Sequence, residues 1–478
     1  MRCVLVPSVV LVAVVAFAPG RGQEPAKVDV LARPLTRVAF GSCGDQDKPM
    51  PIYDAIVGAR PELFLFLGDN IYADIDETTS KLIPAAKITP ARIRSKYDVL
   101  GRHAGFQKLK ATCPLLATWD DHDFGANDAG EEFVHKDESQ RLFLDFFGAA
   151  ATDPRRTQKG VYTAAVYGPP GKRVQVIMLD TRYHRTGLTK ETTPRPGERY
   201  LRYRPSTEPG ATVLGEEQWK WLDAQLKQPA EVRLIGSSIQ LVADEHGFEM
   251  WANFPKERER FYELVRSTKA GGVVVLSGDR HLGEISLDPT TVGYPLYDVT
   301  SSGLNQGSKG WRAPEKNSHR VAAMPYGDNF GMVLIDWTDD NPRLTLQLRD
   351  EDGDVMSAVK VRLSTLKPTG AAGGRPKLPA GVLSPAEAAA KLGQTVTVQY
   401  AVASTGGATN LYLNSARDFR AKDNFAVALT PRAKAGPWVT ATGATFQGKT
   451  IRATGTVQAV GGSPRIEVTD PANLTIVE

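Results

Sequence analysis

Asp120-Asp121-His122-Asp123 puts three carboxylates and an imidazole side by side in the run Ala117–Phe124. Crowded negative charges repel unless a cation neutralises them, so this cluster points to a metal. A structural calcium loop is one reading, but imidazole is a poor ligand for a hard cation, and His122 argues for more than that. Gly278-Asp279-Arg280-His281 offers a carboxylate and an imidazole two residues apart, both able to reach one ion from a loop. A structural hydrogen-bonding role is the alternative for His281. Phe40-Gly41-Ser42-Cys43-Gly44 adds a thiol, and Gly68-Asp69-Asn70-Ile71-Tyr72 adds a carboxylate and a phenol. Taken alone, Gly-Asp-Asn is a turn signal. Behind an apolar run, Asp69 could instead bridge two ions at the ~3.5–4 Å spacing used in two-metal hydrolysis.

Elements of the right kind precede these segments. Short apolar runs at Arg37–Phe40, Leu63–Leu67, Cys113–Thr118, Val174–Leu179, Val232–Ile235 and Val273–Leu276 read as strands. Helical patterns lie between several of them, at Pro51–Ala59, Ser139–Phe147, Glu216–Leu226 and Pro255–Ser267. Buried strands alternating with helices indicate an α/β domain, in which chemistry gathers past the carboxyl ends of the strands. Tyr297–Thr300, Met332–Trp337 and Leu344–Leu348 form a later strand-only stretch, so a sheet sandwich flanked by helices fits better than one doubly wound sheet. The expected domain covers residues 35–365, followed by a Pro/Gly/Ala-rich linker over 366–379. Residues 380–478 read as a short helical piece at Pro385–Lys391 and five strands: Thr395–Ala403, Leu411–Asn414, Phe425–Leu429, Thr450–Val460 and Arg465–Val468. Five strands in that length suggest a small all-β barrel of the OB type.

With 478 residues the chain is too long for one ordinary core, and 41% hydrophobic with 23% charged residues is a soluble globular balance. Lys and Arg number 58 against 54 Asp and Glu, which gives no footprint for wrapping a nucleic acid. Residues 1–22 have a basic head at Arg2, an apolar core over Val4–Ala18 and a small-residue exit at Ala16-Phe17-Ala18, the pattern of a secretory signal. The alternative is an uncleaved anchor, although the run is shorter than the ~20 residues a spanning helix needs. No later segment is apolar enough to span, so neither a membrane nor a nucleic-acid partner is expected. Beyond the signal only Cys43 and Cys113 remain, too few for a disulfide-stapled fold; a single bridge between them stays open beside a metal role for Cys43.

In this order, Phe40-Gly-Ser-Cys43, Gly68-Asp-Asn-Ile-Tyr72, Thr118-Trp-Asp-Asp-His-Asp123 and Gly278-Asp-Arg-His281 resemble the alkaline phosphatase D (PhoD-like) family of calcineurin-like metallophosphoesterases. Supporting matches are Leu179-Asp-Thr-Arg182, Leu214–Leu222, Ser237-Ser-Ile-Gln240 and Thr300-Ser-Ser-Gly-Leu304. The resemblance implies a four-layer αββα metallophosphoesterase sandwich and an exported, periplasmic or extracellular phosphoesterase acting on small phosphate monoesters or diesters. It makes Asp69 the bridging ligand. Cys43 and Tyr72 would hold one metal, with Asp279 and His281 completing the site. Asp121 stands where the superfamily has the Asn of an Asn–His pair, and His122 becomes the general acid or phosphate-orienting group. Asp120, Asp121 and Asn127 join the metal set, and Arg182 joins Asp121 and His122 as a catalytic residue. Many members carry a further sandwich domain ahead of the core; it is not expected here.

Two metal ions are implied. A free phenol titrates near ~10, so Tyr72 bound as phenolate favours a highly charged ion such as Fe³⁺. The carboxylate-rich Asp120–Asp123 loop suits Ca²⁺, with Mg²⁺ or Mn²⁺ as substitutes. In the carboxy-terminal region, Gly448–Val457 and Arg465–Val477 look like the last strands of an OB-fold. Tyr400, Tyr412, Phe419 and Phe425, near Arg417, Arg420 and Lys422, could form stacking platforms or fill the barrel core. The rival to an enzyme is an exported binding protein with a structural metal site.

Overall fold

Leu63-Phe-Leu-Phe-Leu67 is apolar at every position because both of its faces are buried. Leu63, Leu65 and Leu67 belong to one core, and Phe64 and Phe66 to another. The structure, a computed structural model, describes residues 32–195, 200–310, 315–368, 378–379, 381–416, 419–420, 424–434, 438–461 and 463–477. The expected signal segment, most of the expected linker, Arg417 and Lys422 lie outside those residues.

Strand Leu63–Leu67 sits in a six-stranded sheet whose order is Val355–Arg362, Arg343–Asp350, Asn329–Asp336, Arg37–Gly41, Leu63–Leu67 and Leu115–Thr118. The last three run parallel, and Arg37–Gly41 pairs antiparallel with Asn329–Asp336. A seven-stranded sheet follows the order Arg320–Met324, Gly283–Asp288, Leu296–Ser301, Val273–Ser277, Val232–Gly236, Val174–Met178 and Thr163–Tyr167. Its four central pairing strands, from Leu296–Ser301 to Val174–Met178, are parallel. One core joins Val38, Leu65 and Val333 of the first sheet to Val176, Leu234 and Val274 of the second, and it also takes in Trp219 and Leu222 of helix Gly215–Leu226 and Phe261 of helix Pro255–Ser267. The second core packs the other face of the first sheet on helices Ile52–Gly58, Pro90–Arg102, Ala104–Thr112 and Lys136–Phe146. An isolated parallel bridge, Ser42 to Ser302, ties the two sheets at the carboxyl ends of their strands.

Each expected strand and helix of this region is present, with ends moved by up to three residues. Sequence reading passed over the strands Gly283–Asp288, Arg320–Met324 and Val355–Arg362. Gly283–Asp288 buries Glu284, Ser286 and Asp288, which hide its strand character, while Val355–Arg362 is a largely exposed edge. Helix Pro90–Arg102 was also missed, although it starts conventionally: Thr89 caps the Arg92 N–H and Pro90 takes the first turn. Leu366, expected to open the linker, is instead fully buried in the first core, and its carbonyl accepts the Gly272 N–H at 2.5 Å.

Among its described residues the carboxy-terminal region has eight strands rather than five, adding Val382–Leu383, Ser404–Gly406 and Leu474–Val477. The eleven-residue strand Thr450–Val460 pairs first with Thr395–Ala401 and then with Ser463–Val468. Tyr400 and Phe425 are buried in this region's core, so packing is the reading the structure favours for both; Tyr412 lies under Arg465, and Phe419 is exposed beneath Arg420.

Candidate metal centre

Strands Arg37–Gly41, Leu63–Leu67, Leu115–Thr118 and Val273–Ser277 all release their carboxyl ends at one edge, and Cys43, Asp69, Asp121, His122, Asp279 and His281 follow them. Four of these residues have left-handed backbone: Cys43 (φ 61°), Asp69 (50°), Asp279 (69°) and His281 (53°). Non-glycine residues seldom adopt it, and such strain persists where a site requires a particular aim. Gly68 makes the approach tight: at φ 108° an added methyl would sit 2.5 Å from Asp120 Cβ.

Two donor groups result. Cys43 Sγ, Asp69 and His281 offer ligand atoms within 4.8 Å of one another, and so do Asp69, Asp121 and His122. Tyr72 joins the first group, its hydroxyl 3.4 Å from Asp69 Oδ2 and 3.3 Å from His281 Nε2. Cys43 Sγ lies 3.3 Å from Asp69 Oδ2. Asp69 Oδ1 is turned the other way, 3.4 Å from the backbone N of His122. Cys43 and Cys113 carry free, buried thiols, and Cys113 sits in the helix-side core.

Burial dominates the electrostatics. It pushes Asp69 well above the usual carboxylate range, with Asp121, Asp123 and Asp279 adding to the rise and His122 opposing it. Asp279 is pushed up to about 7, by burial against the pull of Arg280. Burial also raises the Cys43 thiol, helped by Asp69, and the Tyr72 phenol, helped by Cys43 and Asp69. Burial works against ionised Asp121 too, yet the His122 and Arg182 cations hold it below the ordinary range. The His122 imidazolium is disfavoured by burial but held well above its ordinary range by Asp121, Asp69 and Asp74. Asp121 Oδ1 is buried and receives no hydrogen bond. Acidic donors crowded together where burial opposes their ionisation, beside an unsatisfied carboxylate oxygen, fit a bound cation.

Not every expected residue points here. Arg182 has no exposed surface and does not reach the cleft; it pairs with Asp120 and, at 2.7 Å, with Glu249. Asp120 is turned the same way, its Oδ1 accepting from Arg182 Nε and Ser238 Oγ at 2.6 Å each. It falls outside both donor groups. Asn127 lines the cleft with His122 and Asp279, its backbone N–H given to Asp74 at 2.7 Å.

The sequence reading also missed partners. Asp74 Oδ1 lies 2.6 Å from His122 Nδ1, and the imidazole rests 4.3 Å from the Tyr72 ring, centroid to centroid. Gln46 accepts the Tyr72 N–H at 2.8 Å. Ser302 Oγ accepts the His281 N–H at 2.7 Å and lies 3.1 Å from Cys43 Sγ. Asp74 was findable, two residues beyond Tyr72 in the same loop. Ser238 and Ser302 stood in motifs noted without roles.

A family model described as PhoD-like phosphatase matches residues 38–341. A curated relative, alkaline phosphatase D of Bacillus subtilis (strain 168), is 26% identical over 280 residues, covering 52% of this chain. This chain spans 46% of that relative's length. A solved structure of PhoD superimposes with a TM-score of 0.53 at 18% identity, covering 72% of this chain and 73% of that one, a likeness of fold. GAP50 of Plasmodium, described as the anchor in the inner membrane complex, gives 0.42 at 13% identity, over 69% of this chain and 89% of that one.

Proposed function

The chain belongs to the PhoD-like phosphatase family, and on that premise we propose that it is an exported hydrolase of small phosphate esters that works with two metal ions. Asp69 carries the proposal: its Oδ2 faces Cys43 and Tyr72 while its Oδ1 faces the His122 backbone, so one carboxylate serves two donor groups. In this reading Cys43, Asp69, Tyr72 and His281 hold one ion. Asp69 and Asp121 would hold the other beside the His122 ring, and Asp279 and Asn127, which line the same cleft, would be further candidates. The ions, when bound, neutralise phosphate charge and supply an activated water.

The protein's own residues do the rest. Asp74 takes His122 Nδ1, which fixes the ring and leaves Nε2 for the leaving oxygen. Tyr72 packs against one side of that ring and limits its tilt. Arg182 acts as a positioning residue, holding Asp120 at the head of the Asp121–Phe124 helical turn. Hydrolysis of a chromogenic phosphomonoester and a phosphodiester, before and after chelation, tests the reading. Activity should disappear with the metal and return with it. A fully metallated protein inert on both esters would overturn the proposal.

Thiolate, phenolate and carboxylate at one centre supply up to three negative charges, which suits Fe³⁺; the second centre suits Ca²⁺, Mg²⁺ or Mn²⁺. Ferric thiolate and phenolate bonds should give a visible charge-transfer band. Cys43→Ser should bleach or shift it and lower the iron content, and Cys113→Ser should do neither. A colourless, iron-free and fully active native protein would refute the assignment.

We read the two sheets and their helices as the αββα sandwich of this family, and residues 380–478 as an OB-like barrel after a linker. A chain ending at Pro368, which keeps Leu366 in its core, should stay soluble and hydrolyse small esters. If it is insoluble, or loses its metals, the two regions depend on each other. Among the described residues no helix is long and apolar enough to cross a membrane; export rests on the amino-terminal sequence pattern.

A further inference from the structure

The cleft of about 500 Å³ that holds His122, Asn127 and Asp279 continues into a wall made by none of the expected site residues. Arg280, between Asp279 and His281, places its guanidinium 3.9 Å from the Phe248 ring centroid. Its Nη2 is fixed to Glu315 at 2.7 Å. Phe248 in turn stacks on Tyr200, with centroids 4.7 Å apart and planes 19° from parallel. The wall therefore runs from the metal loop outwards and ends in Tyr200 and Leu201, which remain 38% and 39% exposed. Their segment is tied down: Tyr203 donates its N–H to Gly247 at 2.8 Å and its hydroxyl to Asp128 at 2.5 Å. Tyr200, stacked on Phe248 and still partly exposed, lines the same cleft as the proposed proton donor.

We propose that Tyr200 and Leu201 form the shelf that receives the ester's leaving group, and that the group it favours is planar and aromatic. The inference rests on the phosphoesterase reading above, since the shelf adjoins that site. A parallel ring stack extends most favourably with another flat π-system, and an immobilised shelf loses little entropy on binding. An aliphatic alcohol would gain from Leu201 alone.

The test compares phenylphosphonate with methylphosphonate as competitive inhibitors of the full-length, metal-loaded protein. The wild type should prefer the phenyl compound, and Tyr200→Ala should cut that preference by roughly fivefold to tenfold. Tyr200→Phe should retain it. Should Tyr200→Ala not fold, Leu201→Ala reads the same shelf and should cut the preference at least twofold. A wild type without phenyl preference, or variants that keep it in full, would overturn the proposal. A wild type that hydrolyses no ester would instead defeat the functional reading, and calorimetric binding of the two phosphonates would still decide the shelf.

Discussion

His122→Ala is expected to lower turnover by about 10²–10⁴-fold while the protein keeps its metals. The imidazole is held by Asp74 at 2.6 Å and lies against Tyr72, a mounting for a group that must point a proton in one direction. Only its backbone N–H approaches Asp69 at hydrogen-bonding distance; the ring nitrogen lies within 4.8 Å of Asp69 and Asp121, outside the first donor group. Removing the ring should therefore spare the first donor group and cost proton transfer. Substrates with poor leaving groups need that proton most, so the loss should be greater for an alkyl ester than for a nitrophenyl ester. Asp74→Asn should give a smaller loss with the same leaving-group dependence. Elemental analysis and kcat on both esters provide the check. A loss below about tenfold with unchanged metal content removes His122 from the mechanism.

Arg182→Met should cost about 3–5 kcal/mol of unfolding free energy, because it strands buried charge rather than merely losing an attraction. Asp120 would keep only the Ser238 hydroxyl, its Oδ2 accepting no hydrogen bond, whereas Glu249 would still have Arg185 at 2.9 Å. Urea unfolding of the metal-free protein measures the effect. Adding Asp120→Asn to Arg182→Met should recover part of it, since that removes the stranded carboxylate. A loss under about 1 kcal/mol would mean that Asp120 is neutral in the folded protein and Arg182 is not its counter-charge.

The ligand-bearing loops were legible because their signal is local: an apolar run, a glycine, then an acid. Asp69 and Asp279 both carry that signature, and the structure brings their loops to one edge. What escaped depends on contacts distant in the chain. Glu249 is 67 residues from Arg182, and Tyr203 is 75 from Asp128. Gly283–Asp288 went unread because its inward polar groups are satisfied only by remote partners: Glu284 meets Gln240, Asn317 and Arg320. The inward aim of Arg182 was hidden for the complementary reason. A motif places a residue near a site but does not say which way it faces.

The left-handed backbone at Cys43, Asp69, Asp279 and His281 bears on anyone who would engineer this protein. Each is a position where glycine relaxes the chain, and for the three acidic or thiol donors it also thins the crowd of buried anions. A laboratory selection for heat tolerance alone would thus be drawn to the same loops that hold the chemistry. It would return sturdier variants with an empty centre, so any such campaign must screen for turnover at every round.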